Sequence, residues 1–224
     1  MTQIEHDDKC AIQVTAKDVA DVFKVFAHGY KQDINPYKLI KLVYISFTWF
    51  YAYSGGRKLF EDKILVATNG PVIKSLQDEY SNETNPDCFA SDMWRLENNY
   101  PSEQDETKIN ARLLEIQTKF IKMVPQEMEM LPAMIVAGVW ERYGGGKDFK
   151  SITHDERSPW HYCRTHGMEE FDFTNQEMVN ALQARAFEGS KPLVSYDAKL
   201  REKLLNMVPN AVKPTIVEMG QLAS

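Results

Sequence analysis

Asn35-Pro-Tyr-Lys-Leu-Ile-Lys41-Leu-Val-Tyr44-Ile-Ser-Phe-Thr-Trp-Phe-Tyr-Ala-Tyr53 is the stretch on which the fold turns. Leu39, Ile40, Leu42, Val43, Ile45, Phe47, Trp49 and Phe50 point in nearly every direction around a helix, whereas a helix on a protein surface confines its apolar residues to one stripe. The pattern predicts a central buried helix over Tyr37–Tyr53. Asn35 supplies an N-cap oxygen and Pro36 fits the first helical position, where its missing N–H costs nothing. Gly55-Gly56 ends the run.

Toward the N-terminus, Thr15-Ala-Lys-Asp18 reads as a cap. Val19, Val22, Phe23 and Phe26 then recur at helical spacing as far as Gly29. Residues 1–14 read as a loose lead. Toward the C-terminus, Lys63–Thr68 is short and branched, and reads either as a strand or as an extended link. Asn69-Gly70-Pro71 is a turn, with Pro71 expected to open a helix carrying Val72, Ile73, Leu76 and Tyr80. Residues 84–106 hold six acidic residues against one base, Arg95, which predicts a solvated, partly mobile surface excursion. Helical spacing returns over Ile109–Val124 and, after Pro125, over Met128–Tyr143, where Pro132 marks the expected start.

Val139–Trp160 then makes a corner. Gly144-Gly145-Gly146 is expected to stop a helix in the left-handed cap geometry. Thr153 with Glu156 reads as a capping box that opens a new turn, and Ser158-Pro159 as a second helix start. Thr174 with Glu177 is a further capping box, for a helix to about Phe187. Gly189 and Pro192 separate this from Ser195–Met207, and Pro209 and Pro214 mark a loose tail. The expected fold class is mostly α: a single compact multi-helix domain with a central buried helix and at most a short extended segment.

Composition narrows the function. The chain has 224 residues and a net charge of −6, which argues against non-specific nucleic-acid binding, since that needs a basic face. No run of residues reaches the roughly 18 apolar positions of a membrane span. Cys10, Cys88 and Cys163 are odd in number and lack metal spacing, and the polar acidic start carries no secretory signal; together these fit free thiols in a reducing cytoplasm. Gly146-Lys147 is not a phosphate loop, because Asp148 follows where Ser or Thr is required and a helix rather than a strand precedes it. His154, His161, Cys163 and His166 are the one His/Cys cluster, without a second ligand pair at zinc spacing. No G-x-S-x-G occurs, and no nucleophile–base arrangement stands out. No metal, cofactor or catalytic residue is expected.

Taken in order, Leu39-Ile-Lys41-Leu-Val-Tyr44, Gly56-Arg-Lys-Leu-Phe60, Asn69-Gly-Pro-Val72 and Thr153-His154 with Ser158-Pro159-Trp160 resemble the motifs of the Panacea (SocA-like) domain of bacterial and phage antitoxins. The resemblance implies an all-α domain over residues 15–170, with residues 171–224 as a C-terminal helical extension packed on it or partly mobile. It implies an antitoxin that neutralises a cognate protein toxin by direct binding. The alternative is an adaptor that delivers the toxin to a protease, and a hydrolase at the His154 corner ranks behind both. Lys147, Phe149, His154 and Arg157 are the candidate toxin-binding residues. His154 and Arg157 are expected at the surface, and Phe149 reads equally as core. Gly70, Pro71, Thr153, Pro159 and Trp160 are read as structural members of the family motif.

Overall fold

The computed structural model describes residues 13–30, 32, 34–80, 106–145, 149 and 153–187. Four sequence expectations lie outside them: the lead before residue 13, most of the acidic excursion, Lys147, and the segments after Phe187. The described residues form seven α-helices and one β-hairpin: α1 (Ala16–Gly29), α2 (Pro36–Tyr53), β1 (Ile64–Ala67), β2 (Gly70–Ile73), α3 (Lys74–Tyr80), α4 (Glu106–Lys122), α5 (Leu131–Tyr143), α6 (Pro159–Thr165) and α7 (Gln176–Phe187). The fold is mostly α, as expected.

Helix α2 is the axis. Every residue from Leu39 through Tyr51 is buried. The Asn35 side chain accepts from Lys38 N at 2.8 Å, with Pro36 in the first turn. At the far end Ser54 N donates to Phe50 O, and Gly55 and Gly56 turn away at φ 71° and 95°. Helices α1, α5 and α7 and the hairpin enclose α2 and share its apolar cluster. Met178, Val179 and Leu182 are the buried face of α7. Asn175 caps α7, accepting from Glu177 N and Met178 N, one residue later than the Thr174 box anticipated.

Helix α1 opens as expected. Asp18 N donates to Thr15 Oγ1 at 3.2 Å, and Thr15 N donates back to Asp18 Oδ2 at 2.8 Å. That capping carboxylate also docks α4. Asp18 is 1% exposed and accepts from Arg112 at 2.7 Å and Lys119 at 3.0 Å. Burial alone would raise its pKa, but the Thr15 amide, Lys119 and the Thr15 hydroxyl outweigh burial and hold it below the usual carboxylate value.

The short run at 63–68 is a strand. It pairs antiparallel with β2, from Ile64↔Ile73 to Ala67↔Gly70. Pro71, expected to open a helix, lies within β2, and the helix begins only at Lys74. Lys74 N donates to Lys63 O, so alternation along the ladder puts Val66↔Pro71 at a position where neither N–H faces the partner. A proline there removes no ladder bond. Val66 N points the other way and donates to Glu169 O at 2.7 Å, while Phe171 N donates to Ile64 O, so the chain after α6 covers the free edge of β1.

Gly144 departs from its expected cap. Its φ is −57°, right-handed, and its N–H closes the last turn of α5 onto Trp140 O. A Cβ there would lie 2.5 Å from that carbonyl, so glycine is needed for closeness and not for handedness.

Leu42 has no solvent exposure. Leu42→Ala should cost about 2–5 kcal/mol in a denaturant titration; a cost of a few tenths would misplace the core. Asp18→Asn should cost about 1–2 kcal/mol, because it weakens the hydrogen bonds from Arg112 and Lys119, which keep Asp21 and Glu115 as partners. The acid limb gives the sign. The folded pKa lies below the unfolded one, so the stabilisation is complete above about pH 4 and is lost as pH falls through the folded value. The wild type should therefore lose more stability than Asp18→Asn between about pH 4 and pH 2; parallel curves would remove Asp18 from the account.

Candidate functional site

A lysine in a helix buried on all sides must find oxygen atoms. Lys41 is 1% exposed, and its Nζ donates to Asn69 O at 3.0 Å and Pro71 O at 2.8 Å. It also lies 5.2 Å from the centre of the Tyr37 ring. Among the described residues no carboxylate pairs with it. Burial pushes its pKa down to about 7. The Pro71 carbonyl lies on the outer edge of β2 and the Asn69 carbonyl in the turn just before it, so the ammonium sits where a third strand would begin.

Gly70 joins the two segments that meet at this point. Its φ is +97°, and a Cβ built on it would lie 2.7 Å from Lys41 Nζ and 2.6 Å from His154 Cε1. The position requires glycine for its handedness and for its crowding alike.

His154 arrives from the corner before α6. Thr153 does not open a turn there, as its box with Glu156 suggested. It closes one, with Thr153 N donating to Phe149 O at 3.0 Å and Thr153 Oγ1 to the same carbonyl at 2.8 Å. That hydroxyl has one hydrogen, spent on Phe149, so at 3.0 Å it accepts from His154 Nδ1. In the neutral ring the proton is then on Nδ1, and the Nε2 lone pair faces the Gly70–Lys41 side. The ring rests on Trp160, centroids 4.3 Å apart.

Ser158 and Pro159 start α6 as expected, with Ser158 Oγ accepting from His161 N and donating to Thr153 O. Both turns of α6 then reach the hairpin. Trp160 Nε1 donates to Ala67 O at 3.0 Å, and Arg164 donates to Thr68 O at 3.1 Å with its guanidinium 5.1 Å from the Trp160 ring centre. The carbonyls of residues 67, 68, 69 and 71 thus all receive side-chain donors, from α6 on one side and α2 on the other. Thr68 and Asn69, at the tip, are exposed, and Gly70 and Pro71 behind them are buried.

The structure therefore brings Gly70, Pro71, Thr153, Pro159 and Trp160 together around one hairpin. The toxin-binding candidates disperse. Phe149 is 3% exposed and belongs to the core. His154 is half-buried and packed, contrary to its expected surface position. Of the three candidates that are described, Arg157 alone is at the surface, its side chain 65% exposed and bonded to Asp155 at 3.2 Å. Lys41 and Arg164 carried no role in the sequence. A lysine inside an otherwise apolar helix was the available signal for Lys41; nothing local marked Arg164.

The His/Cys cluster does not converge. Cys163 is buried, with its thiol pushed up to about 11 by burial, and His166 stacks on Tyr162. No group of three His, Cys, Asp or Glu among the described residues could hold a metal ion. No helix among them is long and apolar enough to cross a membrane.

Gly55→Ala and Gly70→Ala separate backbone strain from packing. Gly55 also has positive φ, but a Cβ there meets open space, so the substitution should cost about 1 kcal/mol. Gly70→Ala should cost about 1–3 kcal/mol more, from overpacking against Lys41 and His154. Equal costs in a denaturant titration would mean that this contact yields freely.

A family model described as "Antitoxin SocA-like, Panacea domain" matches residues 39–161, more than half of the chain. The match runs from Leu39 in α2 to His161 in α6, and so contains Lys41, the hairpin and the corner. No curated protein and no solved structure matches the chain.

Proposed function

We propose that this chain, which belongs to the SocA-like Panacea antitoxin family, neutralises a protein toxin by binding it directly through the face around the hairpin tip. One observation carries this reading. Motif segments from three parts of the chain meet to immobilise an exposed tip, Thr68-Asn69, whose flanking carbonyls are all engaged. A surface held rigid before binding loses little entropy when a partner docks. Arg157, exposed in the turn that leads into α6, is the second position proposed to meet the toxin. The reading is non-catalytic: Lys41 is occupied with backbone carbonyls, and His154 with packing and with Thr153.

An interface of ordinary size buries about 1,600 Å² in total, with a few residues carrying most of its energy. The test combines Thr68→Trp, which obstructs the tip with a neutral ring, with Arg157→Ala. Both side chains are at the surface, so the melting temperature should stay close to that of the wild type. Rescue of cells expressing the cognate toxin should weaken, and affinity should fall about tenfold or more. Full rescue by this variant at native expression would take the face out of the interface. Failure of the wild type to rescue would sink the antitoxin reading, and rescue by trace amounts against excess toxin would turn it to an adaptor.

A further inference from the structure

We infer that the exposed face of α6 beside the hairpin tip docks an acidic segment of the partner protein, with Arg164 as the anchor and His161 and Arg157 flanking it. The inference rests on the toxin-binding reading and gives that interface its chemistry.

Arg164 is exposed, yet held. Its guanidinium lies over Trp160, and one N–H is committed to Thr68 O. No carboxylate among the described residues takes the rest of its fork. Two other arginines are already paired with carboxylates: Arg112 with Asp18, Asp21 and Glu115, and Arg157 with Asp155. A stacked, prepositioned guanidinium matches a carboxylate in two-point geometry and loses little freedom on binding it.

The helix around it carries no opposing charge. Residues 159–168 contain Arg164 and no Asp or Glu, in a chain whose net charge is −6. Positions 161 and 164 lie one helical turn apart, on one face of α6, and Arg157 lies in the turn that leads into it. The patch is small. Glu156, Glu169 and Glu177 are exposed around it, so a nucleic-acid strand, with a charge about every 3.4 Å, would run onto like charge. A short run of Asp or Glu within a protein partner fits the patch and avoids its rim.

The test uses the full chain, isotopically labelled, at low ionic strength. The probe is an acetylated Leu-Glu-Glu-Leu-Glu peptide, with its Gln analogue and its Lys analogue as controls. The readout is the Trp160 indole N–H resonance, which reports the ring beneath Arg164. The Glu peptide should shift this resonance, and the Gln peptide should shift it about tenfold less at equal concentration. Arg164→Gln should abolish the response. Because that variant could also loosen Thr68, Arg164→Glu supplies a gain of function: it should respond to the Lys peptide and not to the Glu peptide. Equal responses to the Glu and Gln peptides, an unchanged response in Arg164→Gln, or a stronger response to a single-stranded oligonucleotide would each overturn the inference. The rescue assay separates it from its premise. Wild-type rescue matched by Arg164→Gln overturns the inference and leaves the antitoxin reading standing. Loss of wild-type rescue with an intact Glu-peptide response overturns that reading and retains an acid-recognising surface.

Discussion

The Lys41 ammonium and the two carbonyls it holds are the constraint around which the structure is arranged. A charge in the centre of a fully enclosed helix is tolerated only if dipoles reach it. The hairpin supplies them from its turn and from the outer edge of β2, so the lysine that needs oxygen atoms and the strand edge that needs a donor satisfy each other. Pro71 contributes to this: it has no N–H to compete along that edge, and its carbonyl is the closer of the two acceptors at 2.8 Å. The same geometry brings Gly70 so near Nζ and the His154 ring that a side chain is excluded there.

A second buried charge is handled in the opposite way. Asp18, equally enclosed, meets two cations and a backbone amide, and its carboxylate is favoured despite burial. Lys41 meets neutral dipoles and one π face, and burial wins, to about 7. Each joins segments distant in sequence: Asp18 fastens α4 to α1, and Lys41 fastens the hairpin to α2. Counter-charge therefore secures one side of the fold and backbone geometry the other, and the backbone-secured side presents the exposed tip.

The family match and the packing do not coincide. The match begins within α2 and ends within α6, yet α1 before it and α7 after it both lie against α2. Val19 and Phe23 of α1 and Met178 and Leu182 of α7 are fully buried in the same cluster as Leu42 and Phe50. The matched segment therefore has its core completed by residues outside the match. The motif residues of the hairpin and the corner shape those two turns, while Leu39, Ile40, Leu42, Val43, Leu59 and Phe60 of the other motifs lie in the core.

The sequence alone determined what depends on neighbours within one helical turn. The caps at Thr15, Asn35 and Ser158 each act across three residues, and the stops at Gly55-Gly56 and Pro125 are equally local. The central place of α2 was legible for a related reason: apolar side chains at every helical angle leave enclosure as the only favourable arrangement. Tertiary structure decided the rest, because there the deciding partner is remote. Pro71 belongs to a strand because β1 pairs with it on one side and Lys41 takes its carbonyl on the other, which no local pattern reveals. Thr153 closes a turn because its hydroxyl is drawn to Phe149 O, and Gly144 stays right-handed because Trp140 is packed against it. In that polar corner His154 reads as a surface residue and Phe149 equally as surface or core. They are drawn inward because the core and the Trp160 ring lie beneath them, brought there by contacts that span most of the chain.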